Sequence, residues 1–175
     1  MGVVLVGAPG SGKTTVARAL AERYGFRYLD REARLLEAYG SLEAFVARKE
    51  AAVREMQREA LEWMAEEESP WIYESTALTE RDFVLRLMEA EGGFGVRLGV
   101  SLKEALARVA ARATGKNLSN DLQMTRRVWE ACEATHLQLP FALRVRTGSL
   151  LPDEVAGEVH RAFKRWWADS GPAAP

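Results

Sequence analysis

Gly7-Ala8-Pro9-Gly10-Ser11-Gly12-Lys13-Thr14-Thr15 decides how this chain is read. Immediately before it stands a short apolar run, Val3-Val4-Leu5-Val6. After it, Thr14 to Tyr24 carries Val16, Leu20 and Tyr24 four apart, along one face of a helix. The stretch spells G-x-x-x-x-G-K-S/T in full, between a strand and a helix, and the spelling has a physical cause. Glycines let the backbone curl until successive N–H groups point inward as an anion nest. The helix that follows turns its positive end to the same anion. Gly7 to Thr15 therefore reads as a phosphate cradle. Lys13 would supply a point charge to the outer phosphates, and the Thr14 hydroxyl would ligate Mg²⁺.

Working outward, four further apolar runs read as strands: residues 26–29, 71–74, 95–100 and 142–146. Helical stretches separate them. Residues 41–68 are long and rich in Ala, Glu and Arg, with Ser41 as a candidate N-cap. Thr79 with Asp82, and Ser101 with Glu104, match the capping-box spacing. Asp153 to Trp167 forms the last helix, with Pro152 near its first turn. Strand and helix in alternation imply an α/β fold, a five-stranded parallel sheet flanked by helices in three layers. Ligands of such sheets bind beyond the carboxyl ends of the strands. That places Asp30, Glu32 and Glu74 at the site, since they follow or end strands two and three.

The chain has 175 residues, 47% apolar and 28% charged, with 24 basic and 25 acidic side chains and a net charge of −1. This fits one domain over residues 1–169 with a frayed tail at 170–175. The near-zero charge speaks against a broad nucleic-acid binder. One cysteine, Cys132, leaves no internal disulfide or Cys-rich zinc site, and two distant histidines make a His-based centre improbable. No run of 18 apolar residues suggests a membrane span. The expectation is a cytoplasmic monomer.

The motifs narrow the class. No D-x-x-G or N-K-x-D follows the later strands, as a GTPase would need, and the third strand carries Glu74 rather than an Asp-Glu pair. The chain resembles the small kinases of the nucleoside-monophosphate-kinase-like group, shikimate kinase and gluconate kinase among them. The resemblance rests on the phosphate loop, on Asp30 and Glu32 after strand two, on Arg54 in Val53-Arg54-Glu55-Met56, and on the Arg108-x-x-x-Arg112 helix. It implies an ATP-dependent, Mg²⁺-assisted kinase whose partners are ATP and a small-molecule acceptor. It implies further that Arg108 stacks on adenine and Arg112 reaches the phosphates. Lys13, Asp30 and Arg112 would be catalytic, and Asp30, Glu32, Arg54 and Glu74 would meet the acceptor. Residues 41–68 would form the acceptor-binding segment and 112–122 a lid. Two features depart from shikimate kinase: Glu74-Ser75-Thr76 replaces its triple glycine, and its Arg-Pro-Leu-Leu lid motif is absent. Two other readings stand beside this one, a nucleotide or polynucleotide 5′-kinase and a non-catalytic ATP-binding regulatory module.

Overall fold

The structure, a computed structural model, describes residues 1–40, 45, 47–66, 69–112 and 121–170. Five strands are present: β1 (Gly2–Val6), β2 (Arg27–Tyr28), β3 (Trp71–Ser75), β4 (Gly93–Gly99) and β5 (Leu143–Arg146). Seven described helices accompany them: α1 (Lys13–Tyr24), α2 (Arg31–Tyr39), α3 (Lys49–Ala65), α4 (Arg81–Glu89), α5 (Leu102–Ala110), α6 (Leu122–His136) and α7 (Pro152–Ser170). The sheet order is β2-β3-β1-β4-β5, and every pairing is parallel. The α/β three-layer expectation is met.

β1 lies at the centre of the sheet, and Val3, Val4, Leu5 and Val6 have no exposure at all. A strand buried on both faces needs apolar residues at every position, which is why the run does not alternate. One face packs Val3, Leu5, Ile72, Phe94 and Val96 against Val16 and Leu20 of α1 and Val155, Val159 and Phe163 of α7. Trp166 and Trp167 close this layer from its edge. The other face packs Val4, Val6, Trp71 and Tyr73 against Phe83, Val84 and Leu87 of α4 and Ala60 of α3.

One expected cap is present and one is not. Ser101 accepts from the Glu104 amide while Glu104 reaches back to the Ser101 amide, a full capping box. Thr79 and Asp82 form none. The N-cap of α4 is Glu80, with no side-chain cap, because its carboxylate turns inward. It takes two bonds from Arg31, at 2.7 and 2.9 Å, and others from Tyr73 and Ser75. Satisfying a buried charge outweighs a cap worth about 1 kcal/mol. Ser41, proposed to cap the long segment, lies outside the described residues. The described part of that segment is α3.

His136, 1% exposed, anchors the end of α6 to the loop after β3. Its Nε2–H donates to the Thr76 carbonyl at 2.9 Å, and Nδ1 has no partner among the described residues. Burial holds this imidazole below its ordinary value of about 6.5, and Arg97 and Lys13 act in the same direction. A folded state that resists protonating His136 loses stability as pH falls below that value, because the unfolded chain takes the proton first. His136→Asn should start less stable, yet its Tm should fall less than that of the wild type between about pH 7.5 and pH 5.5. Parallel melting curves of the two proteins check this; equal slopes would remove His136 from the pH response.

Candidate active site

β1 delivers the phosphate loop to the carboxyl edge of the sheet, between β3 and β4. The Gly7 amide donates to the Ser75 carbonyl at 3.2 Å, which ties the loop's first residue to the end of β3. Gly10 and Gly12 sit at φ of 80° and 88°. Gly10 has a second reason to be glycine: a Cβ there would lie 2.7 Å from the Ala105 carbonyl oxygen of α5. Gly12 is the N-cap of α1 and provides no side-chain cap, so the first amides of the helix face the loop's concavity. The Ser11 hydroxyl is fully buried and has no partner among the described residues. An uncapped helix start and an orphaned hydroxyl in one cradle are the features a phosphate would satisfy.

The loop is braced from the other side by Arg108. Its guanidinium donates to the carbonyls of Gly10 at 3.2 Å, Thr147 at 2.6 Å and Gly148 at 3.2 Å. Thr147 Oγ1 also receives Arg108 at 3.2 Å and donates to the Ser11 carbonyl at 2.9 Å. Beside this clamp opens a cavity of about 280 Å³ lined by Ser11, Gly12, Thr15, Arg108, Leu150 and Pro152. Apolar Leu150 and Pro152 share this cavity with the Arg108 guanidinium, a lining that suits a flat aromatic base. Arg108 thus lies beside the phosphate loop, on the wall of this cavity. Thr147 was not singled out from the sequence, and Pro152 was read there only as a helix-start residue.

Lys13 folds back over the loop, its Nζ donating to the Ala8 carbonyl at 3.3 Å. Burial holds its ammonium below the ordinary lysine value, while Glu74, Cys132 and Glu32 pull it up and Arg112 pushes it further down. Glu32 and Arg112 thus lie within electrostatic reach of the same amine. Arg112 ends the described part of α5's exit. The lid expected at 112–122 otherwise lies outside the described residues, except that Asp121 caps α6, accepting from the amides of Gln123 and Met124. Residues 121 and 122 therefore belong to a helix start rather than to a lid.

Glu74, the penultimate residue of β3, is 7% exposed. The Thr14 hydroxyl donates to its two oxygens at 3.0 and 3.1 Å, and the Tyr28 hydroxyl donates to Oε1. Asp30 is engaged differently. Its Oδ2 pairs with Arg18 at 2.7 Å, and its Oδ1 accepts the Ala33 amide at 3.0 Å as the cap of α2. Arg54 faces outward on α3, 72% exposed and 4.0 Å from Glu50, so the structure does not bring it to the loop. Arg31 was missed in the sequence reading. It pairs with Glu80 and also donates to the Glu74 carbonyl at 3.3 Å, joining the start of α2 to the end of β3. Burial alone would raise the Glu80 carboxyl, but Arg31 and the Ser75 and Tyr73 hydroxyls hold it below its ordinary value.

The donors fit the expected ligands. Thr14 and Glu74 offer hard oxygens, which suit Mg²⁺. Among the described residues no cluster of three or more His, Cys, Asp or Glu could hold a metal alone. Among the same residues no helix is long and apolar enough to cross a membrane.

Central β1, glycine cradle, helix start and Thr14–Glu74 pair together define a P-loop nucleotide-binding domain. Comparison with known proteins narrows this. The family described as an AAA domain matches residues 3–128. Shikimate kinase of Streptomyces coelicolor is 33% identical over 157 residues, covering 87% of this chain and 90% of that protein. Shikimate kinase of Salinispora tropica is 32% identical over 89% of this chain and 93% of its own. Among solved structures, shikimate kinase from Acinetobacter baumannii in complex with shikimate superposes with a TM-score of 0.70 at 20% identity, covering 98% and 95% of the two chains. Deoxyadenosine kinase from M. mycoides with bound dATP gives 0.65 at 15% identity, covering 94% and 100%. The chain belongs to the small P-loop kinases of the nucleoside-monophosphate-kinase-like group and is a phosphotransferase.

Arg108→Ala removes the brace between the loop and residues 147–148. Bonds from a charged donor are worth about 1.5–3 kcal/mol each in net terms. ATP affinity should fall by roughly tenfold or more; titration with a fluorescent ATP analogue checks it. Unchanged affinity would show that the loop keeps its shape without the clamp.

Proposed function

We propose that the chain transfers the γ-phosphoryl group of ATP to a hydroxyl of a small metabolite of the shikimate or gluconate kind, with Mg²⁺ as cofactor. One observation carries this: the Walker threonine, Thr14, is in direct contact with the buried Glu74, beside the strand ends where an acceptor would lie. Shikimate kinase relatives at about a third identity support a small hydroxylated acceptor.

Phosphoryl transfer needs positioning and charge neutralisation more than covalent help. Lys13 and the first amides of α1 neutralise the phosphates. Thr14 and Glu74 are the residues that would hold Mg²⁺, which supplies further neutralisation when bound. Arg108 and the cavity beside it hold the base, and Arg112 adds positive charge where negative charge develops. Asp30 and Glu32 stand at the acceptor side. Asp30 fixes the start of α2 through one bond to each oxygen and keeps acceptor capacity for a substrate hydroxyl, and Glu32 on the first turn of that helix would meet the acceptor.

ADP release with a panel of acceptors tests this reading. Turnover should appear with one hydroxylated acid, and Lys13→Ala should lower kcat by roughly 10²–10³ while Tm stays near that of the wild type. Turnover only with nucleosides or 5′-hydroxyl oligonucleotides would move the acceptor class. Slow acceptor-independent hydrolysis alone would make the chain a regulatory ATP-binding module.

A further inference from the structure

We propose that Tyr28 is a positioning residue of the phosphoryl-transfer site, its hydroxyl holding the Glu74 carboxylate against Thr14. The inference rests on the proposed kinase reading and deepens it.

Strand register puts the two side chains together. Tyr28 on β2 pairs with Ile72 on β3. Glu74 lies two residues beyond Ile72, on the same face of the strand. An aromatic side chain leaning along the strand direction reaches such a diagonal neighbour. The hydroxyl meets Glu74 Oε1, while the ring packs against the core layer shared by α1 and α7. A phenol is an ordinary O–H donor at neutral pH, and here its hydrogen is directed to the carboxylate.

The chemistry explains why a phenol suits this place. Among the described residues, the donors to the Glu74 carboxylate are the hydroxyls of Thr14 and Tyr28. Thr14 has a second duty, since its oxygen is the one a phosphate-loop threonine offers to a cation. Tyr28 has no such duty, so its bond holds Glu74 whether or not the Thr14 oxygen is engaged. A guanidinium would hold the carboxylate as well, but it would cancel the charge that faces the cation. The nearby Arg31 does not do so: its guanidinium goes to the Glu80 carboxylate and touches Glu74 only at the backbone carbonyl. A neutral hydroxyl fixes the rotamer and leaves the charge available. Partners of this kind are commonly worth roughly 10–100-fold in metal affinity or activity.

The test is Tyr28→Phe, which keeps the ring and removes one oxygen. ATP binding is titrated by calorimetry in EDTA and again in saturating Mg²⁺. The variant should bind ATP in EDTA as the wild type does and should lose about tenfold of the affinity gained from Mg²⁺. Its kcat should fall about tenfold with acceptor KM within about twofold. In a Glu74→Gln background the same change should add nothing, because Tyr28 acts through Glu74. The proposal is overturned if Tyr28→Phe matches the wild type in Mg²⁺, if it weakens ATP in EDTA equally, or if its effect persists undiminished beside Glu74→Gln. It is also overturned if Mg²⁺ gives the wild type no gain in affinity. The binding arm needs no acceptor. A chain that shows no acceptor-dependent ADP release therefore fails the kinase reading while still testing Tyr28.

Discussion

β1 is hydrogen-bonded on both sides, to β3 and to β4, in parallel register from Gly2 to Val6. A strand so enclosed fixes the point at which its chain leaves the sheet. Everything at the candidate site is placed relative to that exit. The Gly7 amide bonds back to Ser75, and the cradle turns over the carboxyl edge. A Cβ on Gly7 would lie 2.4 Å from Ser11 Oγ and 2.7 Å from the Leu98 carbonyl oxygen, so β4 presses against the loop at its start. α5 presses on it at Gly10. The cradle is thus moulded by three elements from outside, and its open side is left to the ligand.

The parts of this arrangement that were legible in the sequence are those in which local chemistry and tertiary position coincide. The phosphate loop is one, because its glycines are required by backbone shape wherever the loop sits. The strands are another, because apolar runs of four to six residues bounded by turn residues have few other uses. Arg108 entered through the family resemblance, and spacing added only that it shares a helix face with Arg112. What was not legible depended on which strand lies beside which. Tyr28 reads as an ordinary β-strand aromatic until β2 is seen to pair with β3, two residues short of Glu74. Arg31 and Glu80 are 49 positions apart and read as surface charges of two different helices. The Thr79–Asp82 spacing had a sound local meaning, and the long-range pair at Glu80 overrode it. Asp30 shows the same competition: the carboxylate at the end of β2 is there, but α2 and Arg18 engage both its oxygens.

Two buried acids stand six positions apart on either side of the end of β3, and the structure treats them in opposite ways. Glu80 receives a bidentate arginine and two hydroxyls, so its charge is fully answered within the protein. Its work is to bind the start of α2 to the start of α4. Removing one partner of such a pair leaves a buried charge uncompensated, so both ends are held together. Glu74 is just as buried, yet among the described residues its side-chain donors are the neutral hydroxyls of Thr14 and Tyr28. Its negative charge is not cancelled where it sits, and the Lys13 ammonium feels it across the loop. The two Glu74 oxygens and the Thr14 hydroxyl are the atoms that would meet a cation arriving with the phosphates. The same alternation along β3 that turns Tyr73 and Ser75 toward Glu80 turns Glu74 toward Thr14, so one strand separates the acid that holds the fold from the acid turned to the candidate site.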